Sequence, residues 1–285
     1  MTTTTARPAI PHVGLPGLRL VRSEFRKIRT TNAWWLFGIA SLVITGLSMW
    51  GNMAEAAGDI AFARAHDLHQ VSINSAGSIF TSGQFFGLML VMLLGILVIT
   101  NEFQYQTATA TFLTTPHRTR VVFGKLAAAI GLGFLFWLVS QAISLTAGLI
   151  FFNNVDLTNS LGEWAVQRAM LFNLAAYLLW AVFGFGLGTL IRSQIGSVVT
   201  AMAVYLVGYI GAIGVFILIR TYIIHRDGVL TAAVSMPSIA TQVMISPDKL
   251  YEQSPPWWVG ALVMIGWSVL AGLVGILLTR RRDIS

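Results

Sequence analysis

The stretch Asn101–Lys125, NEFQYQTATATFLTTPHRTRVVFGK, separates two long hydrophobic runs of this chain. It is rich in threonine and basic toward its end, and Glu102 stands almost directly after the apolar residues 97–99. Long apolar runs that alternate with short basic segments are typical of a protein whose runs span a bilayer. A carboxylate at the end of a span, beside a basic hairpin, indicates a surface that contacts a protein partner on the cytosolic face.

Composition supports the membrane interpretation along the whole chain. Charged residues make up 10% of the 285 residues and hydrophobic residues 55%, whereas about a quarter of a soluble domain is charged. A spanning helix needs about 20 mostly apolar residues. Six runs qualify, so the predicted fold is an all-α integral membrane protein with six transmembrane helices. The six runs are Ala33–Trp50, Gly83–Thr100, Val121–Phe152, Arg168–Ile191, Ile195–Ile219 and Trp257–Thr279.

The distribution of basic residues predicts the orientation of these spans. With both termini in the cytosol, the inner segments contain 13 of the 18 Lys and Arg residues and the outer segments contain 5. This asymmetry follows the positive-inside rule. The net charge of +7 is therefore attributed to cytosolic flanks beside anionic lipid. The basic residues are spread over separate segments, so we do not expect a nucleic-acid partner.

The residues before the first span predict two cytosolic elements. Residues 1–13 are rich in Thr and Pro, which predicts a disordered tail with no signal peptide. Over residues 14–31, apolar residues recur at helical spacing beside a basic stripe, which predicts an amphipathic interfacial helix among the lipid headgroups. This helix is expected to anchor the chain at the membrane surface. It is either an anchor alone or an anchor that is also a docking edge for a cytosolic partner. Its basic residues are Arg19, Arg22, Arg26, Lys27 and Arg29.

Several kinds of chemistry are missing from the chain. No ionisable residue lies near the middle of a predicted span, which argues against a secondary carrier. The sequence has no phosphate-binding loop, no metalloprotease motif and no cysteine, so we expect no bound nucleotide, catalytic residue or thiolate metal site. His66 and His69 have ligand-like spacing, but we interpret them as solvated loop residues.

Mild polar residues and glycines inside the spans predict close contacts between helices. Residues such as Gln84, Gln141 and Tyr205 are expected to hydrogen-bond to neighbouring spans, and a minority could line a substrate path. Two glycine series predict close helix approach, either within one subunit or across a dimer seam. The series are Gly184, Gly186 and Gly188 on the fourth span, and Gly208, Gly211 and Gly214 on the fifth.

Three motifs, in this order along the chain, carry a family resemblance. SEFRKIRTT (23–31) precedes the first span, NEFQYQTATATFLTTPHRTRVVFGKL (101–126) follows the second, and the chain ends in TRRRDIS (279–285). Together with a Pro-containing segment between spans five and six, they resemble the six-span permease subunit of type 2 ABC exporters, over about residues 18–283. The residues that match the family pattern after the second span are Glu102, Phe103, Thr107, Pro116, Arg118 and Lys125. Gln106 stands where Gly is usual, which affects only the local turn.

The resemblance implies a transport mechanism in which a separate subunit, and not this chain, hydrolyses ATP. Two permease subunits, identical or different, would pair in the plasma membrane, and two copies of a separate ABC ATPase would hold ATP and Mg. Coupling helices would transmit ATPase closure to the spans, the main one within residues 101–120 and a minor contact at Arg192–Ser197. Glu102 is then expected to hold the main coupling helix, unless it merely caps a membrane end.

The remaining segments complete the predicted domain plan. The spans form one domain over residues 32–280, followed by a basic cytosolic tail at 280–285. Residues 225–256 are expected to form short extracellular helices, and residues 52–82 to be partly helical. Two other functions remain open: a membrane-embedded sensor or structural partner of an ATPase, and an integral membrane enzyme.

Overall fold

The computed structural model describes residues 23–28, 33–63, 67–104, 118–191, 193–224, 228–250 and 253–281. All regular secondary structure in these residues is helical. Six helical segments among them are long and apolar enough to cross a membrane. The predicted all-α fold with six transmembrane helices is therefore confirmed.

Eleven α-helices are described, with two π-helical segments and one 3₁₀ turn among them. The α-helices are α1 (23–28), α2 (Ala33–Phe62), α3 (Leu68–Phe80), α4 (Gln84–Gln104), α5 (Arg118–Asn154), α6 (Trp164–Leu190), α7 (Gln194–Met202), α8 (Gly208–Ile219), α9 (Gly228–Thr231), α10 (Pro237–Ile245) and α11 (Trp257–Arg281). The second span combines α3 with α4, and the fifth combines α7 with α8. At one end of the bundle, α1, the end of α4 and the start of α5 lie together. We call this the proximal end. The opposite end, with α3 and α10, is the distal end.

The segment between the first two spans is more helical than a connecting loop. Helix α2 continues to Phe62 and α3 begins at Leu68, which confirms the prediction that residues 52–82 are partly helical. A turn ending at Gly83 joins α3 to α4. Gly83 has a φ of 78°, and a Cβ atom there would lie 2.7 Å from the backbone Cα of Thr45. Both observations require glycine at this turn.

Helices α4, α6 and α11 form the centre of the bundle, and glycines allow them to approach closely. A methyl group at Gly184 would overlap the Met92 carbonyl group of α4, and one at Gly186 would lie 2.5 Å from the backbone of Ala271 in α11. The first glycine series thus packs within the subunit, which is one of the two predicted arrangements. The second series differs, because Gly214 has no described atom within 4 Å of such a methyl group.

Polar side chains join the spans by hydrogen bonds, which confirms that prediction for several of them. Gln141 of α5 donates to the Phe80 carbonyl group at 3.0 Å and accepts from Asn173 of α6 at 3.4 Å. The Tyr205 hydroxyl group donates to the Phe85 carbonyl group at 2.6 Å. Tyr205 lies in the π-helical segment Ala203–Val207, so this bond ties the irregular part of the fifth span to α4.

The described residues between spans five and six include short helices, but α10 is not a surface element. Eight of its nine residues are buried, and Thr241 accepts a hydrogen bond from the buried Trp180 of α6 at 3.0 Å. Arg168 holds the chain that follows α10, because its guanidinium group donates to the carbonyl groups of Ser246 and Pro247 at 2.7 and 2.9 Å. The distal end is therefore closed by a buried helix.

Candidate functional site

The predicted ATPase-coupling residues that the structure describes lie at the proximal end. Glu102 and Phe103 are in the last turn of α4, and Arg118 is the first residue of α5. The other predicted coupling residues, Thr107, Pro116 and Arg192, lie outside the described residues. The structure therefore places the two ends of the predicted coupling segment on α4 and α5.

A buried ion pair joins α1 to these two helices. The Lys125 ammonium group of α5 donates to Glu24 Oε2 of α1 at 2.7 Å and to the Val98 carbonyl group of α4 at 3.4 Å. Both side chains are almost entirely buried, with Glu24 6% and Lys125 1% exposed. A second lysine, Lys27, reaches the other carboxylate oxygen at 2.9 Å and is half exposed. Removing one partner of a charge pair this far from solvent is expected to destabilise the protein, because the other partner would remain as a buried charge.

Apolar side chains of α1 add to this attachment. Phe25 and Ile28 pack against the main hydrophobic core. The Phe25 ring lies where a Cβ atom at Gly131 of α5 would be 2.9 Å away, so glycine makes room for the ring. Arg26 and Lys27 are exposed, while Arg19, Arg22 and Arg29 of the predicted interfacial helix lie outside the described residues. In its described part, the amphipathic helix thus buries its apolar side against protein.

The predicted minor contact lies beside the end of α4. The Gln194 side chain, at the start of α7, donates to Asn101 Oδ1 at 3.4 Å. Ser193 caps α7 by accepting from the Gly196 amide at 3.2 Å, and the fully buried Ser197 donates to the Ile191 carbonyl group at 2.6 Å. These bonds fix the turn between α6 and α7. The two segments predicted for coupling therefore meet at Asn101.

The arrangement holds several helix ends together. Among the described residues, the proximal end joins α1, α4, α5 and α7 through one ion pair, hydrogen bonds and apolar contacts. No group of three or more potential metal ligands occurs in the part of the chain that the structure describes. His69 lies 3.7 Å from Glu163 at the distal end, and His66 lies outside the described residues.

Sequence reasoning missed Glu24 and did not recognise the role of Lys125 beyond its place in a family pattern. Glu24 is the one acid in the basic stretch 22–29, and Lys125 interrupts the apolar start of the third span. The sequence signal for this pair is an isolated acid among basic residues and an isolated base among apolar residues. Their partnership across 101 positions could not be inferred from local spacing.

Fold and site together define a multi-pass helical membrane protein whose proximal end gathers helix ends around a buried ion pair. The family model for ABC-2 family transporter proteins matches residues 20–211, which is more than half of the chain and includes α1 to α7. The chain belongs to this family, whose members are membrane components of ABC transporters. Membership implies an ABC ATPase as a partner in general. No curated protein matches the chain significantly.

Proposed function

We propose that this chain is the permease subunit of an ATP-driven exporter in the plasma membrane. Two permease subunits form the substrate path, and two copies of a separate ATPase bind their cytosolic faces and hold ATP and Mg. The observation that carries the proposal is the meeting, at the proximal end, of both segments expected to contact an ATPase. A displacement of the end of α4 reaches α7 through Asn101 and Gln194, and reaches α1 and α5 through Lys125.

The proximal end is the cytosolic end in this proposal. The 13 basic residues of the segments assigned to the inside favour that orientation by the positive-inside rule. They include the exposed Arg26 and Lys27 of α1, which would lie at the height of anionic lipid headgroups. Both termini then lie in the cytosol, and α3 and α10 lie toward the outside.

The unevenly buried spans support pairing with a second permease subunit, either identical or different. In the most apolar 18-residue part of each described span, 11% of the residues are buried in the first span and 11% in the fifth, against 72% in the second. On the fifth span, a methyl group at Gly208, Gly211 or Gly214 would have no atom of another described span within 4 Å, which leaves a face where a partner helix could approach closely. We assign this face to the dimer seam.

Copurification tests the proposal. The chain, tagged and purified from membranes of its native host, is expected to retain an untagged ATPase, and hydrolysis in lipid is expected only when both are present. Glu102→Ala should reduce the ATPase recovered per permease or its stimulation in lipid. Gln104→Ala, a change at an exposed residue of the same helix end, is the matched control and should change neither.

Three results would contradict the proposal. ATP turnover by the isolated chain would indicate an enzyme. A stable complex that hydrolyses ATP but moves nothing across vesicle membranes would indicate a sensor or structural partner. The absence of any ATPase from the purified material, under conditions that keep the chain folded, would remove the coupling mechanism.

A further inference from the structure

A polar cavity lies between α2, the α3–α4 turn, α4 and α10, far from the proximal end. Its volume is about 260 Å³. The polar residues that line it include Ser48, Asn52, Ser78, Ser82, Gln84 and Gln242. We call it the distal pocket. None of its described lining residues is charged, and Phe85, Ile245 and Leu250 supply apolar walls.

The wall of the distal pocket that Gln84 provides lies within the length of a hydrocarbon core from the proximal end. Gln84 begins α4, and Val98, which contacts Lys125 at the proximal end, follows 14 residues later. At 1.5 Å per residue these two positions are about 21 Å apart, within the roughly 30 Å of a hydrocarbon core. Polar groups at such a depth need partners inside the protein or in a polar cavity.

Two buried carboxamide atoms of residues that line this pocket lack hydrogen bonds of complementary kinds. Gln84 donates to Gln242 Oε1 at 3.3 Å. The buried Gln84 Oε1 then receives no hydrogen bond, and the buried Gln242 Nε2 makes none, among the described residues. One atom is an acceptor and the other a donor. A hydroxyl group within reach of both atoms would satisfy both, because it donates one hydrogen bond and accepts another.

The rest of the lining has the same character. Asn52 donates to the Ser78 carbonyl group and to Ser82 Oγ, each at 2.9 Å, so its amide is held at the cavity wall. A charged group would lose its hydration in this pocket without gaining a counterion from the described lining, which is costly. Carboxamides and hydroxyl groups beside apolar walls suit a neutral molecule with several hydroxyl groups.

We propose that the distal pocket binds a neutral, hydroxyl-bearing group, such as the sugar of a glycolipid headgroup or of a free saccharide. One hydroxyl group of the ligand bridges Gln84 Oε1 and Gln242 Nε2, and others meet Asn52 and Ser48. The site belongs to the isolated chain and does not depend on an ATPase. Its failure would therefore leave the proposed transport function untouched.

The test is binding to the purified chain in lauryldimethylamine oxide, a detergent without hydroxyl groups, read by native mass spectrometry. The probes are monoglucosyl diacylglycerol and phosphatidylcholine with the same acyl chains. The glucolipid is expected to bind at least about tenfold more tightly, and Gln84→Met or Gln242→Met to reduce that binding about tenfold, the usual scale of one lost hydrogen bond. Displacement by free glucose identifies a saccharide site, and resistance to glucose identifies a lipid headgroup site.

Two further variants keep the test decisive if a glutamine variant does not fold. Ser48→Leu fills the pocket from α2 and leaves the contact between Gln84 and Gln242 in place, so it should abolish glucolipid binding. Gln167→Leu changes an exposed glutamine of α6 at the distal end and should bind as the wild type does. Equal binding of the two lipids, or wild-type binding by a folded Ser48→Leu protein, would overturn the proposal.

Discussion

Removing the Glu24 carboxylate is expected to destabilise the chain more than removing the Lys125 ammonium group, although the two form one pair. Glu24→Ala takes the carboxylate at 2.7 Å away from a lysine that is 1% exposed. Lys125→Met leaves Glu24 with Lys27, whose ammonium group already lies 2.9 Å from the other carboxylate oxygen. Breaking a buried pair by removing one partner costs about 3–5 kcal/mol. We expect Glu24→Ala near the top of this range and Lys125→Met at or below its lower end.

The double variant separates the charge pair from mere packing. Glu24→Met with Lys125→Met removes both charges and fills the space with unbranched apolar side chains. Replacing a buried pair by apolar residues of similar volume is often neutral or stabilising. The double variant is therefore expected within about 1 kcal/mol of the wild type. It should be more stable than the Glu24→Ala protein.

The measurement is unfolding of the purified chain in mixed micelles with an increasing fraction of sodium dodecyl sulfate. The fluorescence of the 9 tryptophans reports the transition. Lys27→Ala is the control, because a half-exposed pair at this helical spacing contributes only about 0.5 kcal/mol. The reasoning fails if Lys125→Met costs more than Glu24→Ala, or if the double variant is as unstable as Glu24→Ala.

Three further predictions concern packing, the distal end and orientation. Gly184→Ala is expected to lower the free energy of unfolding by about 1–3 kcal/mol, because the methyl group overlaps α4, whereas Gly214→Ala, measured in the same micelle titration, should not destabilise the chain. Arg168→Met removes two hydrogen bonds that a guanidinium group, 8% exposed, donates to the chain after α10. Limited proteolysis should then cleave the chain after α10 faster. An unchanged cleavage rate would mean that other contacts hold this segment in place. A cysteine at the exposed Ala57 should react with an impermeant thiol reagent in intact cells and one at Thr115 should not, and the reverse pattern would invert the proposed orientation.

The spans were predictable because an apolar run of sufficient length has few alternatives in a membrane protein. Their ends were less so. Helix α2 continues to Phe62, twelve residues beyond the predicted end at Trp50, because polar residues can extend a helix outside the lipid without changing its backbone. The burial of α10 was missed for a related reason: its contact with Trp180 comes from another span.

Contacts between distant parts of the chain limited prediction of the site. Gly184 and Gly208 each open a series of small residues. Among the described residues, only the first series packs against another span, because the outcome depends on the neighbouring helix. The pairs Glu24–Lys125 and Gln84–Gln242 join residues 101 and 158 positions apart. No local periodicity reveals which distant residues form a pair. The ends of the coupling segment were predictable, because the segment lies between two apolar runs.

The uninterrupted course of α5 gives the molecule a stiff lever. This helix runs for 37 residues without a break, which is about 55 Å at 1.5 Å per residue. The first turns of α5 contain Lys125 of the ion pair. Its later part contacts Phe80 of α3 through Gln141 and Phe152. A tilt of about 5° around one end moves the other by roughly 5 Å over that length. A small rotation imposed at one membrane surface is thereby enlarged to the width of a side chain at the other.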